Sequence, residues 1–115
     1  MRYTRARART RARRSAPDME ESRIERWITE RVKELGGRSY KWVSPGSDGV
    51  PDRIYLLPGG RIVFAELKAR EGRLSKIQEK QISFIRELGF RCEVIRGKEE
   101  ARKFVEGLKN EIRPA

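Results

Sequence analysis

Asp52 follows Val50-Pro51, and fourteen residues later Glu66-Leu67-Lys68 closes a run of strand-forming residues. Successive side chains of a strand alternate between faces, so Glu66 and Lys68 point one way and Leu67 the other. Two carboxylates that converge on one point offer oxygen ligands to a hard divalent cation, which polarises a phosphate and acidifies a water. An ammonium beside them orients that water or balances charge gathering on phosphorus. Asp52, Glu66 and Lys68 therefore suit metal-assisted hydrolysis of a phosphodiester, and the expectation is a chain that cuts nucleic acid.

The elements around these residues must bring them together. Ile24, Trp27, Ile28, Val32 and Leu35 form one helical stripe between Glu20 and Leu35, and Gly36-Gly37 ends it. Tyr40, Trp42 and Val43 suggest a first strand, followed by the loop Ser44-Pro45-Gly46-Ser47-Asp48-Gly49. A second strand over Arg53–Leu57, the turn Pro58-Gly59-Gly60 and a third strand over Arg61–Lys68 make a hairpin. That hairpin brings the start of one strand, where Asp52 stands, beside the end of the other, where Glu66 and Lys68 stand. Ser75 is placed to cap a second helix, with Ile77, Ile82, Phe84, Ile85 and Leu88 supplying apolar surface up to Gly89. Phe90–Ile95 reads as a fourth strand and Lys98–Lys109 as a last helix. The order α-β-β-β-α-β-α predicts an α/β fold, a four-stranded mixed sheet flanked by helices.

Charge narrows the partner. The chain of 115 residues carries a net charge of +11, favouring a polyanion such as nucleic acid. Residues 1–18 hold seven Arg and one Asp, alternating Arg with Ala or Thr, and predict a disordered arm ahead of a folded domain over 19–115. The arm either grips phosphates or adds nothing to the fold, and Met19 is an alternative natural start. There is no His, so His-based zinc sites and His bases are excluded, and the single Cys92 sits among apolar neighbours as a small core residue. No apolar run approaches a membrane span and no signal-peptide pattern is present, which predicts a cytoplasmic protein with no membrane partner. A domain of this size buries about 60–70% of its chain surface, so a homodimer is expected to help it.

A bland reading competes at each position. An isolated Glu-x-Lys is usually a solvated strand face. Here the preceding run Ile62-Val63-Phe64 marks a central strand, where idle charge is costly, and Asp52 is delivered to the same end of the hairpin. Asp48 is read as a turn residue. Tyr40 and Trp42 either stack on exposed bases or pack in the core, with core favoured for Trp42. Lys41, Arg53, Arg70, Arg73 and Lys76 surround the motif in sequence and are candidate phosphate contacts, Arg70 and Arg73 first among them because they follow the Glu-x-Lys strand.

Gly49-Val50-Pro51-Asp52-Arg53, Glu66-Leu67-Lys68 and Leu74-Ser75-Lys76-Ile77-Gln78, in that order, resemble the VRR-NUC family, a branch of the PD-(D/E)XK nucleases. The similarity runs from Glu21 to Arg96 and leaves the Arg-rich arm aside. The compact form resembles phage-type members, which are similar to Holliday-junction resolvases; a phage-encoded chain would work in the host cell cytosol. The resemblance implies a restriction-endonuclease-like core and hydrolysis of DNA with Mg²⁺, for which Mn²⁺ substitutes. It implies that Asp52, Glu66 and the main-chain carbonyl of Leu67 hold the metal, that Lys68 positions water, and that Gln78 hydrogen-bonds around the site. A helix carboxylate usually joins them; Glu21 and Glu25 are both open, and Glu25 is favoured by its distance to Gly36.

The reading from sequence is thus a structure-selective DNA endonuclease, homodimeric, acting on branched DNA. Its rivals are a nicking or flap nuclease without junction preference, a non-catalytic basic DNA- or RNA-binding module, and an arm-driven ribosome-associated protein.

Overall fold

The computed structural model describes residues 15–112, with side chains described from Glu20 onward. The expected disordered arm falls in residues 1–14, outside the described residues. Residues 15–18, assigned to that arm from sequence, instead begin a helix, α1 (Ser15–Glu34), four residues before the expected domain start. Pro17 is compatible with this because backbone N–H groups in a first helical turn lack intrahelical partners anyway.

Six further elements follow: β1 (Arg38–Lys41), β2 (Arg53–Leu57), β3 (Arg61–Lys68), α2 (Lys76–Glu87), β4 (Arg91–Arg96) and α3 (Gly97–Ile112). The sheet order is β1-β2-β3-β4. β1–β2 and β2–β3 pair antiparallel, and β3–β4 pair parallel through the α2 crossover. This is the expected mixed sheet in the expected order. β1 lies two residues earlier than Tyr40–Val43 suggested: its pairing ends at Lys41 opposite Arg53, after which Trp42 still donates its N–H to the Asp52 carbonyl at 2.9 Å.

Both α1 and α2 end in the same way. Gly36 N–H bonds to Lys33 O and Gly37 N–H to Val32 O, while Gly89 N–H bonds to Arg86 O and Phe90 N–H to Ile85 O. These paired bonds close the last helical carbonyls, and they need a left-handed residue that glycine supplies at φ +91° and +95°.

α1 and α3 cover one face of the sheet. Ile24, Ile28 and Val32 meet Tyr55, Leu57, Val63, Ala65, Leu67 and Ile95 from the strands, and Ala101, Phe104, Val105 and Leu108 from α3. α2 covers the other face incompletely. Ile82 and Ile85 pack there on Cys92, with Trp42, Phe64, Leu74 and Val94 half-buried around them. Cys92 is a buried core thiol, as expected.

Candidate active site

β2 and β3 pair with Arg53 opposite Ala65, so one step further along the same register sets Asp52 beside Glu66. Strand alternation puts Asp52, Glu66 and Lys68 on the face that α2 partly covers, with Ile54 and Phe64. The Leu67 N–H donates to Asp52 Oδ1 at 3.3 Å, fastening the aspartate to the strand that carries its partners. Glu66 is buried, and Lys68 Nζ stands 3.4 Å from its Oε2.

Gln78 ties the start of α2 to this pair. Its backbone N–H donates to the Ser75 hydroxyl at 3.1 Å, and its side-chain carbonyl accepts from the Ser75 N–H at 2.9 Å. That reciprocal cap fixes the amide so that its Nε2 donates to Glu66 Oε2 at 3.0 Å. The expected cap at Ser75 and the expected place of Gln78 beside the site coincide in one hydrogen-bonded chain.

Burial dominates the electrostatics. Desolvation pushes the Asp52 carboxyl up to about 7, and the neighbouring Glu66 charge adds to the rise. Glu66 is also raised by burial, with Lys68 opposing it. Two desolvated carboxylates side by side, with the Glu66 charge disfavouring ionisation of Asp52, form a site whose negative charge is under-compensated. A hard divalent cation relieves that condition, and an all-oxygen donor set suits Mg²⁺ or Mn²⁺. Among the described residues no cluster of three or more His, Cys, Asp or Glu converges on one point. Two carboxylates with water and a main-chain oxygen completing the shell still fit Mg²⁺, which keeps several waters when bound to proteins.

The two helix glutamates separate clearly. Glu25 is ion-paired with the Arg53 guanidinium, which also donates to Ser39 Oγ at 2.7 Å. Glu21, one turn nearer the helix start, contributes to raising both Asp52 and Glu66. The two glutamates are thus placed differently: Glu25, the favoured helix carboxylate, is engaged in an ion pair with Arg53, while the charge of Glu21 acts on the carboxylate pair. Arg53, a candidate phosphate contact, departs from that expectation. Strand alternation turns it away from Asp52 onto the α1 side, where it is buried rather than available to a phosphate.

The remaining predicted contacts divide by position. Arg70 and Arg73 are exposed on the segment that joins β3 to α2, and Lys76 is exposed at the start of α2. Lys41 is exposed but lies opposite Arg53, on the face turned from Lys68. Leu67 buries its side chain in the core, and its backbone N–H is the atom bonded to Asp52. Trp42 packs 5.2 Å from the Phe64 ring as a core residue, while Tyr40 remains half exposed. Asp48 serves its loop, where its carbonyl accepts from Gln81 Nε2 at 3.0 Å. Ser39, which steadies Arg53, had no signal in the sequence.

Fold and site together define an α/β domain with a carboxylate–lysine cluster at the end of a central strand. Residues 7–99 match the VRR-NUC domain, and the chain belongs to that family. The match begins inside the Arg-rich segment, earlier than the motifs alone indicated. A solved structure described as a VRR_NUC domain superposes with a TM-score of 0.71 and 28% identity, covering 76% of this chain and 95% of that one. The chain is also similar to "Putative nuclease p44" of Acyrthosiphon pisum secondary endosymbiont phage 1, at 51% identity over 49 residues. That stretch is 43% of this chain and spans about half, 53%, of the phage protein.

Proposed function

We propose that this protein is a Mg²⁺-dependent, structure-selective DNA endonuclease that acts as a homodimer on branched DNA such as Holliday junctions. The observation that carries the reading is the meeting of Asp52, Glu66 and Lys68 at one end of β3, in a chain of the VRR-NUC family. Asp52, Glu66 and the Leu67 carbonyl are the proposed metal ligands, with Glu21 in place of Glu25 as the helix carboxylate. When bound, the cation supplies charge neutralisation at the scissile phosphate and a more acidic water.

The protein's own groups do the rest. Lys68, held by Glu66, positions the attacking water. Gln78 keeps Glu66 in one rotamer through the Ser75 cap. Water adds to phosphorus in line and the 3′-oxygen leaves, giving 5′-phosphate and 3′-hydroxyl ends. Arg70, Arg73 and Lys76 hold the phosphates that flank the cut, contacts that position a strand without reading its sequence.

A second copy is the proposed occupant of the sheet face that α2 leaves open. Tyr40, Leu56, Ile62, Phe84, Leu88 and Phe90 each expose two-fifths or more of their surface there. The flank of α2 that meets the 44–49 loop through Gln81 carries Phe84 and Leu88 further along, above this half-sheet. The three aromatics have about half of their ~150–250 Å² left to bury, and with the three aliphatic side chains they supply a large part of the ~800 Å² that each partner of an ordinary dimer buries. Among the described residues no helix is long and apolar enough to cross a membrane, and a cytoplasmic site of action is part of the proposal.

The test is cleavage of a labelled four-way junction beside duplex, flap and single-strand controls, with Mg²⁺, Mn²⁺ or EDTA, by wild type and Glu66→Ala. Metal-dependent paired cuts in the junction, lost in the variant, are expected. Cuts on all substrates alike would leave a nicking or general nuclease. Tight binding with no cutting would favour the basic binding module and end this reading.

A further inference from the structure

A cavity of about 580 Å³ lies between the first half of α1 and the start of α3, outside the residues assigned above. Ile24, Ala101 and Trp27 give it apolar walls, and Arg23, Lys98 and Arg102 bring three cations to it against the single carboxylate of Glu20. Arg31, one turn beyond Trp27, places its guanidinium 5.4 Å from the indole centroid, whereas Arg23, one turn before Trp27, lines the cavity. Arg102 is paired with Glu99 at 2.7 Å, but both side chains are about two-thirds exposed, so the pair exchanges readily for a phosphate.

Two of the residues that line the cavity are next in sequence to residues that touch the candidate active site or the segment leaving it. On α1, Glu21, which acts on Asp52 and Glu66, is next in sequence to Glu20. On the other side, the segment leaving β3 abuts the start of α3. Arg96 Nε donates to the Gly72 carbonyl at 3.1 Å, and a Cβ on Gly97 would stand 3.1 Å from the Arg70 Cβ. A strand that crosses Arg70 on its way from the cut therefore reaches Lys98 and the mouth of the cavity next.

We infer that this cavity receives one unpaired nucleotide of the bound strand, its base against Trp27 and its phosphate among Arg23, Lys98 and Arg102. The inference rests on the nuclease reading for its place in the reaction, and it deepens that reading. Pockets of roughly 300–1,000 Å³ with apolar walls and a few polar groups hold small ligands well, and an aromatic wall accepts any base by stacking. A base inside a duplex or at a fully paired four-way junction must first be unstacked and unpaired, which costs a few kcal/mol, whereas one at a flap or gap is already free. The cavity thereby selects DNA with an unpaired nucleotide next to the cut.

The test reads Trp27 fluorescence in a Trp42→Phe, Glu66→Ala background, so that neither the second indole nor cleavage interferes. An eight-nucleotide oligothymidylate is expected to quench saturably. An abasic strand of the same length and charge is expected to bind about tenfold more weakly, with little quenching. Arg23→Ala, an exposed change, is expected to lower the salt slope of oligothymidylate binding by about one. Glu20→Gln is expected to tighten binding. Equal binding of abasic and thymidine strands, or binding without quenching, would overturn the inference even if the wild-type protein cuts DNA. Quenching that depends on bases and on Arg23, in a wild-type protein that cuts nothing, would keep the site and remove the nuclease reading instead.

Discussion

The two faces of the sheet are built to different standards. Against α1 and α3 the centre of the packing is closed: Ile28, Val32, Tyr55, Val63, Val105 and Leu108 are all but inaccessible. Against α2 the buried set shrinks to Ile82, Ile85 and Cys92, and large apolar side chains remain exposed at its margin. Asp52, Glu66 and Lys68 belong to that second face. On the proposed reading, the contrast separates stability from chemistry across one layer of backbone. The closed face supplies the apolar burial that holds the strands in register. The open face keeps two carboxylates desolvated enough to be raised in pKa. A charge cluster on the closed face would have been paired off, and Arg53 with Glu25 shows that outcome.

Substitutions on the two faces should therefore separate activity from stability. The largest effect is expected from Lys68→Ala and Asp52→Asn, each lowering cleavage by about 10²-fold or more while leaving the fold intact. Asp52→Asn should melt no lower than wild type without metal, since it removes a carboxylate that burial disfavours. Activity within a few-fold of wild type would take these residues out of the chemistry. On the closed face, Ile28→Ala should cost about 2–5 kcal/mol in denaturant unfolding, with normal activity per folded molecule. An unchanged midpoint would break the division of labour.

Gln78→Ala should be milder, lowering cleavage about tenfold, because it releases Glu66 and half of a helix cap rather than a reacting group. Its kcat should fall more than its KM rises, and Gln78→Glu should not rescue it. The smallest stability change is expected from Leu88→Lys, at about 0.5 kcal/mol or less, since that side chain is 75% exposed. Sedimentation should nevertheless show more monomer than wild type. A monomeric wild type, or an equally dimeric variant, would detach the open face from assembly.

Most of the fold was legible because it depends on short-range patterns. The α1 stripe, the hairpin at Pro58-Gly59-Gly60, the Ser75 cap and the glycines that end α1 and α2 all lie within a few residues of the structure they specify. The pairing of Asp52 with Glu66 was legible for the same reason, since a three-residue turn leaves the register little freedom. The edges blurred where sequence offered weak boundaries, at Ser15 and at Lys41.

The sequence by itself determined which residues share a strand face, where the helices stop, and that two carboxylates and a lysine meet at one end of β3. It favoured Glu25 over Glu21 on spacing alone, since both lie on one face of α1 and only the axial placement of that helix decides which comes near Asp52. The sequence did not disclose that Arg53 faces a closed wall. Alternation turned Arg53 away from Asp52, but whether that side meets solvent or a helix depends on how α1 docks. Docking is a sum of many contacts between distant residues, and no local pattern encodes it. The cavity between α1 and α3 has the same origin, since Trp27, Lys98 and Arg102 become neighbours only when the two helices share a sheet.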